Sequence, residues 1–135
     1  MNDAEFTFDH VHLRVKDLEA TLAWYVTMFG AKVLRRGESS GAPLATVEIG
    51  GSRLQISQAL PRENLDEATP RKVVNLRYGL SHWGYEVQDL DATVARMKSH
   101  GAEFVREIYT IRPGVRAAFV KAPDEDTIEL LERKG

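Results

Sequence analysis

Two histidines, a glutamate and a glutamine in this sequence stand where an internal repeat would bring them together. His10 lies in F-D-H-V-H-L-R-V (residues 8–15) and His82 in L-S-H-W-G-Y-E-V (residues 80–87), at the same place in each stretch. With the numbering shifted by 72, seven of the fourteen positions from 10 to 23 are identical: His10/His82, Val15/Val87, Asp17/Asp89, Leu18/Leu90, Ala20/Ala92, Thr21/Thr93 and Ala23/Ala95. Self-similarity of this kind means two copies of one structural unit. If the histidines open equivalent first strands, the final strands R-L-Q-I-S and T-I-E-L-L are equivalent too, which sets Gln55 against Glu129. Ile128 and Leu130 flank Glu129, so the two-residue period of a strand turns its carboxylate away from the core. Two imidazoles, a carboxylate and an amide oxygen on one concave surface make a divalent-metal site with positions open to water or substrate. The symmetry of placement carries this reading, not the residue types. A lone strand histidine is more often a hydrogen-bonded structural residue, and His12 and His100 read that way.

The elements that must position these side chains follow from the pattern. Phe8, Val11, Leu13 and Val15 alternate with Asp9, His10, His12 and Arg14, which predicts a strand over 8–15 with His10, His12 and Arg14 on one face. Asp17 stands at the N-cap of a helix over 18–29. Its apolar stripe is Leu18, Leu22, Tyr25, Val26 and Phe29, and Gly30 suits its left-handed end. A strand over 31–37 runs into a soft break at E-S-S-G-A-P. Residues 44–49 and 52–57 flank Gly50-Gly51, a two-residue hairpin signal that sets Glu48 opposite Arg53 and Thr46 opposite Gln55. Glu48 and Gln55 then share one face as diagonal neighbours, with Val47, Ile49, Leu54 and Ile56 on the other. Opposite Arg53, Glu48 also fits an ordinary cross-strand ion pair.

Residues 59–79, broken by Pro61 and Pro70, read as a linker or lid with one helical turn at 63–68. The second half repeats the grammar: a strand over 80–87, Asp89 as cap, and a helix over 90–100 with Val94 and Met97 inward and Gly101 as stop. Strands over 103–109, 116–122 and 127–132 follow, with a turn at 123–126 between the last two. Each module is β-α-β-β-β, so the fold class is α+β. One domain spans 1–135, with module one at about 6–58 and module two at about 80–133.

Bulk properties exclude several classes. At 135 residues, 43% hydrophobic and 28% charged, the chain has the composition of one globular domain. A net charge of −2 without a basic stripe gives no case for nucleic acid. With no cysteine there are no disulfides, thiolate zinc sites or cysteine nucleophiles. The acidic start M-N-D-A-E-F and the lack of a long apolar run point to a cytoplasmic protein without a membrane partner.

The elements D-H-V-H-L-R-V-x-D-L, G-L-x-H and I-E-L-L-E, taken together, resemble the vicinal oxygen chelate superfamily, which includes glyoxalase I, methylmalonyl-CoA epimerase, extradiol dioxygenases and fosfomycin-resistance enzymes. The resemblance runs from about residue 8 to 132. It implies two pseudo-symmetric β-α-β-β-β modules whose curled mixed sheet forms a half-barrel cup around a divalent metal (cobalt, manganese, nickel, zinc or iron). The ligand positions fall on His10, Gln55, His82 and Glu129. This set is similar to that of methylmalonyl-CoA epimerase, whose second catalytic carboxylate falls on Glu48, with Glu129 doubling as ligand and base. Bacterial glyoxalase I carries Glu at the second ligand position. The chain departs from the family at A-P-D-E-D-T, where D-P-D-G is usual, and at Ser81, where the epimerase has a second histidine.

The resemblance implies a small-molecule substrate (an acyl-CoA thioester, a 2-oxo acid or a similar oxygen chelator) and a homodimer. The expected reaction is metal-dependent epimerisation or isomerisation, with a proton removed alpha to a carbonyl or thioester through a metal-stabilised enolate. A glyoxalase I-like lyase, an Fe(II) extradiol-type dioxygenase and a non-enzymatic drug-binding protein are the alternatives. One scaffold hosts many chemistries. Arg14, Arg53, Arg112 and Arg116 are candidates for binding a carboxylate or phosphate, while Arg62, Arg71, Lys72 and Arg77 read as solvated linker charge. Trp24, Tyr25, Phe29, Trp83 and Tyr85 read as packing residues, and Tyr78 and Tyr109 as candidates to line the cup.

Overall fold

The computed structural model describes residue 5 and residues 7–61 and 79–135. The chain divides into two compact units, Met1–Leu65 and Asp66–Gly135, and each holds one β-α-β-β-β module. The first contains β1 (Val11–Val15), α1 (Leu18–Phe29), β2 (Lys32–Ser39), β3 (Ala42–Ile49) and β4 (Ser52–Gln58). The second contains β5 (Trp83–Glu86), α2 (Leu90–Ser99), β6 (Phe104–Arg112), β7 (Val115–Lys121) and β8 (Thr127–Arg133). Each builds its own open, mixed four-stranded sheet, ordered β1-β4-β3-β2 and β5-β8-β7-β6. In both, the first strand runs parallel to the last and the remaining pairs are antiparallel. The α+β architecture read from the repeat is the one observed. No helix among the described residues is long and apolar enough to cross a membrane.

The repeated D-L-x-A-T segment turns out to be a helix start in which every identical residue has a job. Asp17 Oδ1 accepts from Ala20 N at 3.1 Å and Asp89 Oδ1 from Ala92 N at 3.0 Å, satisfying a donor that the first turn leaves open. Thr21 and Thr93 donate their hydroxyls back to the carbonyls of Asp17 and Asp89, both at 2.8 Å. Leu18 and Leu90 are buried beneath. Gly30 ends α1 at φ 63°, its N–H reaching back to the last turn. The buried stripe of α1 is Leu18, Thr21, Leu22, Tyr25 and Met28; Val26, expected inward, is exposed because the stripe tracks the 18/22/25 row that packs on β3 and β4.

The hairpin register is the one expected: Glu48 pairs with Arg53 and Thr46 with Gln55 across Gly50-Gly51. Both glycines have positive φ, as the two-residue turn requires. Val47, Ile49, Leu54 and Ile56 are all buried. Several boundaries differ from expectation, among them β5, which spans only Trp83–Glu86 of the expected 80–87, and β6, which runs on to Arg112. The break at E-S-S-G-A-P is a second tight hairpin, with Ser40 and Gly41 at positive φ, so β2 and β3 run up to it on both sides. The first strand begins at Val11 rather than at residue 8, because the ladder with β4 starts at Val11↔Leu54 and Phe8 stands in solvent. Most of the linker, residues 62–78, including Tyr78 and the expected turn at 63–68, lies outside the described residues.

Candidate functional site

The two modules place their chemistry at matching lattice points. In module one a row of paired residues crosses the sheet as His12–Gln55–Thr46–Arg35. In module two the matching row is Gly84–Glu129–Phe119–Arg106. Gln55 and Glu129 are therefore equivalent by ladder register as well as by alignment, and His10 and His82 each stand two residues before the first member of their row. The pseudo-symmetry extends to a shift in strand pairing just before each arginine, between Val33 and Arg35 and between Phe104 and Arg106.

The residue preceding each histidine holds its Nδ1. His10 Nδ1 donates to Asp9 Oδ2 at 2.7 Å, and Ser81 Oγ lies 2.7 Å from His82 Nδ1. A partner at Nδ1 fixes the ring and, in the neutral tautomer, leaves Nε2 with its lone pair for a metal. In module two the next atom is in place: Glu129 Oε1 lies 3.4 Å from His82 Nε2, with both side chains about three-quarters buried. That separation exceeds the usual 2.7–3.2 Å of a hydrogen bond. It matches the roughly 3.0–3.4 Å edge between two ligands each about 2.1 Å from one ion. Gly84 makes room for this: a Cβ there would come 3.3 Å from Glu129 Cβ and 3.5 Å from Oε1. The ring of Phe119 meets His82 edge-on, with centroids 5.0 Å apart.

Module one presents an open pocket of about 290 Å³ lined by Asp9, His10, Leu34, Arg35, Thr46, Arg53 and Gln55. His10 and Gln55 thus share one cavity. Glu48 occupies the same sheet face, paired with Arg53 two residue pairs along the ladder from Thr46–Gln55, but it is not part of the lining. Among the described residues, neither unit by itself gathers three His, Asp or Glu side chains able to hold a metal. Each supplies two donors, an imidazole with an amide oxygen in one and an imidazole with a carboxylate in the other. Each pair consists of the nitrogen and oxygen donor types that a borderline divalent ion accepts.

Residues 7–130 match the Glyoxalase/Bleomycin resistance protein/Dioxygenase superfamily. The chain belongs to that superfamily. Within it, the lactoylglutathione lyase of Neisseria meningitidis serogroup B is 32% identical over 128 residues, covering 93% of this chain and 90% of that protein. The lactoylglutathione lyase of Arabidopsis thaliana is 28% identical over 138 residues, and this chain spans 44% of its length. Two solved structures share the fold. A glyoxalase family protein from Bacillus cereus has a TM-score of 0.79 at 21% identity, covering 100% of this chain and 99% of that one. The fosfomycin resistance protein FosX of Listeria monocytogenes, in complex with Mn(II) and sulfate, has a TM-score of 0.70 at 22% identity, covering 95% and 93%.

Set in this superfamily frame, several side chains take other roles than their type suggested. His12 bonds Ser57 Oγ at 2.7 Å, and burial, helped by Arg14 and His10, lowers its pKa, so it behaves as the structural histidine expected. Arg116, a candidate for substrate binding, is instead engaged by Asp91 at 2.7 Å and by the buried Glu132 at 2.9 Å. Tyr109 stacks on Phe119 and carries the Arg106 guanidinium 3.4 Å above its ring. Asp9, Ser81, Gly84, Phe119 and Arg35 were not singled out by the sequence. Asp9 and Ser81 had a usable signal, since each is a hydrogen-bonding residue immediately before a repeat histidine.

Proposed function

We propose that the chain is a divalent-metal-dependent lyase of the lactoylglutathione type, its metal held by His10, Gln55, His82 and Glu129. The observation that carries this is the His82–Glu129 pair, spaced at 3.4 Å as two ligands of one ion beside a glycine that leaves them room. The named relatives supply the reaction class: they are lactoylglutathione lyases. The epimerase reading drawn from the ligand set, with its acyl-CoA substrate, finds no support among these relatives, and the lyase alternative replaces it.

The substrate class is the adduct of a thiol with a 2-oxoaldehyde, converted to a 2-hydroxyacyl thioester. The conversion is an internal isomerisation: a proton leaves the carbon bearing sulfur, a proton arrives on the neighbouring carbon, and no external oxidant or reductant takes part. A divalent ion bound at this site would polarise the two neighbouring oxygens and so acidify that C–H bond. Asp9 and Ser81 hold the imidazoles in the orientation and tautomer that bind. Glu48 and Glu129 are the carboxylates assigned to carry the proton, Glu129 also serving as ligand. The enzyme works as a homodimer, with a small-molecule substrate.

Metal content tests the reading first, on protein purified without chelators and on His10→Ala and His82→Ala. One equivalent of divalent metal in the wild type, lost in each variant, is expected. Retention of metal in both variants would sink the ligand assignment. Glu48→Gln should keep the metal yet abolish solvent deuterium uptake at the substrate carbon. Loss of metal in that variant would remove Glu48 from its role.

A further inference from the structure

The two matched rows place their bulk on opposite sides of the central residue. In module one, His12–Gln55–Thr46 sets a large ring on β1 and a small side chain on β3. In module two, Gly84–Glu129–Phe119 reverses this, with no side chain on β5 and a large ring on β7. Thr46 lines the open pocket of module one, whereas Phe119 fills the matching point and is only 5% exposed.

That reversal decides which way Glu129 leans. Phe119 and Glu129 are direct cross-strand partners, so their side chains share one face and compete for its space. The free side is Gly84, and the carboxylate lies over it, with Oε1 3.5 Å from where a Cβ would stand. There Oε1 comes within 3.4 Å of His82 Nε2. The Phe119 ring bounds the imidazole as well, meeting it edge-on at 87° with centroids 5.0 Å apart. One buried ring thus stands beside both members of the pair.

Phe119 is itself held. The Tyr109 ring lies nearly parallel to it, at 16° with centroids 6.4 Å apart, and the Arg106 guanidinium sits 3.4 Å from the Tyr109 centroid. Arg106 and Tyr109 are three residues apart and would face opposite ways on a regular strand. The pairing shift between them is a bulge, like the one between Val33 and Arg35, and it re-aims them to one face. Ring–ring and cation–ring contacts of this kind prefer particular orientations, so they fix where Phe119 points.

We infer that Phe119 is the positioning residue that sets the His82–Glu129 spacing, with Tyr109 and Arg106 holding its ring in place. This rests on the proposed function in taking His82 and Glu129 as ligands of one ion. The test is titration with Co(II), whose visible absorption reports ligand geometry, on the wild type, Phe119→Leu, Tyr109→Leu, Tyr109→Phe and Phe104→Leu. Phe119→Leu should bind Co(II) about tenfold more weakly and with a changed spectrum. Tyr109→Leu should move both in the same direction by less, and Tyr109→Phe, which keeps the stack, should match the wild type. Phe104 pairs with Val120, which faces away from the row, so Phe104→Leu should lower thermal stability alone. Wild-type affinity and spectrum in Phe119→Leu, or in Tyr109→Leu should Phe119→Leu not fold, overturn the inference. An equal loss of affinity in Phe104→Leu overturns it too, since that would be a general loosening of the sheet. Metal-free crystals of Phe119→Leu separate the inference from its parent. A His82–Glu129 distance widened beyond 3.4 Å there, with no Co(II) taken up by the wild type, sinks the ligand assignment and leaves the positioning standing. Co(II) bound alike by the wild type and Phe119→Leu, with the pair unmoved, does the reverse.

Discussion

The two modules follow one plan, and at three equivalent points module one has a neutral or flexible group where module two has a charged or constrained one. Gln55 corresponds to Glu129 beside the repeat histidine. Gln58 corresponds to Glu132 at the helix start: Leu18 N donates to Gln58 Oε1 at 3.0 Å and Leu90 N to Glu132 Oε2 at 2.8 Å. Gly50-Gly51 corresponds to the turn holding Asp124 and Glu125. At the first two points the backbone register is thus duplicated while the charge is not. Module two gains a carboxylate beside its repeat histidine and a buried ionised cap; among the described residues, module one keeps an open pocket with two unpartnered cations.

The sharpest way to break the comparison is at the first position of the matched rows, where His12 in module one corresponds to Gly84 in module two. Gly84 has an ordinary backbone conformation, so Gly84→Ala adds no strain of its own; it only sets a methyl 3.3 Å from Glu129 Cβ. Displacing that carboxylate by a few tenths of an ångström should lower metal affinity by about tenfold or more, with little change in thermal stability. His12→Ala should do the opposite. It deletes the bond to Ser57, costing about 1 kcal/mol of stability, and leaves metal affinity nearly unchanged. Metal titration and thermal melts on both variants decide it, and equal effects on affinity would mean that the two row positions are not functionally distinct.

The same positions show what the sequence could and could not reveal. The helix starts were legible because their logic is local: Asp17, Ala20 and Thr21 act within five residues, and so do their copies at 89, 92 and 93. The Gly50-Gly51 turn fixed the β3–β4 register, and with it the shared face of Glu48 and Gln55. Gly84 was illegible because its reason lies across the sheet in Glu129. Arg35 was hidden by the bulge, which breaks the alternation that pattern reading relies on. Glu132 is 2% exposed because Leu90 N and Arg116 claim both its oxygens, partners 42 and 16 residues away that no local pattern reveals.

That buried cap yields the next prediction. The Leu90 N–H, followed by Arg116, holds the Glu132 pKa below the usual carboxylate value of 4.5. A carboxylate depressed on folding stabilises the protein fully above its unfolded pKa, and the contribution is lost as pH falls through the folded value. Module one's cap is an amide and does not titrate. In Glu132→Gln, module two acquires the same chemistry, so melting temperature should fall less steeply below about pH 4.5 than in the wild type. Acid-limb slopes that coincide would show that the cap is not what titrates.

The smallest effect lies in the turns. Gly50 and Gly51 sit at φ 52° and 82° without strain, whereas Asp124 and Glu125 adopt φ 59° and 67° with side chains attached. A left-handed conformation costs an ordinary residue about 1–2 kcal/mol, more for Glu than for Asp, whose short side chain can bond locally. Glu125 stands where the D-P-D-G turn of the superfamily has its glycine. Glu125→Gly removes the strain but also gives up an ion pair with Lys121 at 3.8 Å and adds freedom to the unfolded chain. The ion pair joins partly exposed groups and is worth little. The balance is a gain of about 0.5–1 kcal/mol, readable as a small rise in the denaturation midpoint at unchanged slope. A loss of stability would mean that the Lys121 pair outweighs the strain, and that module two's turn is charged to its advantage.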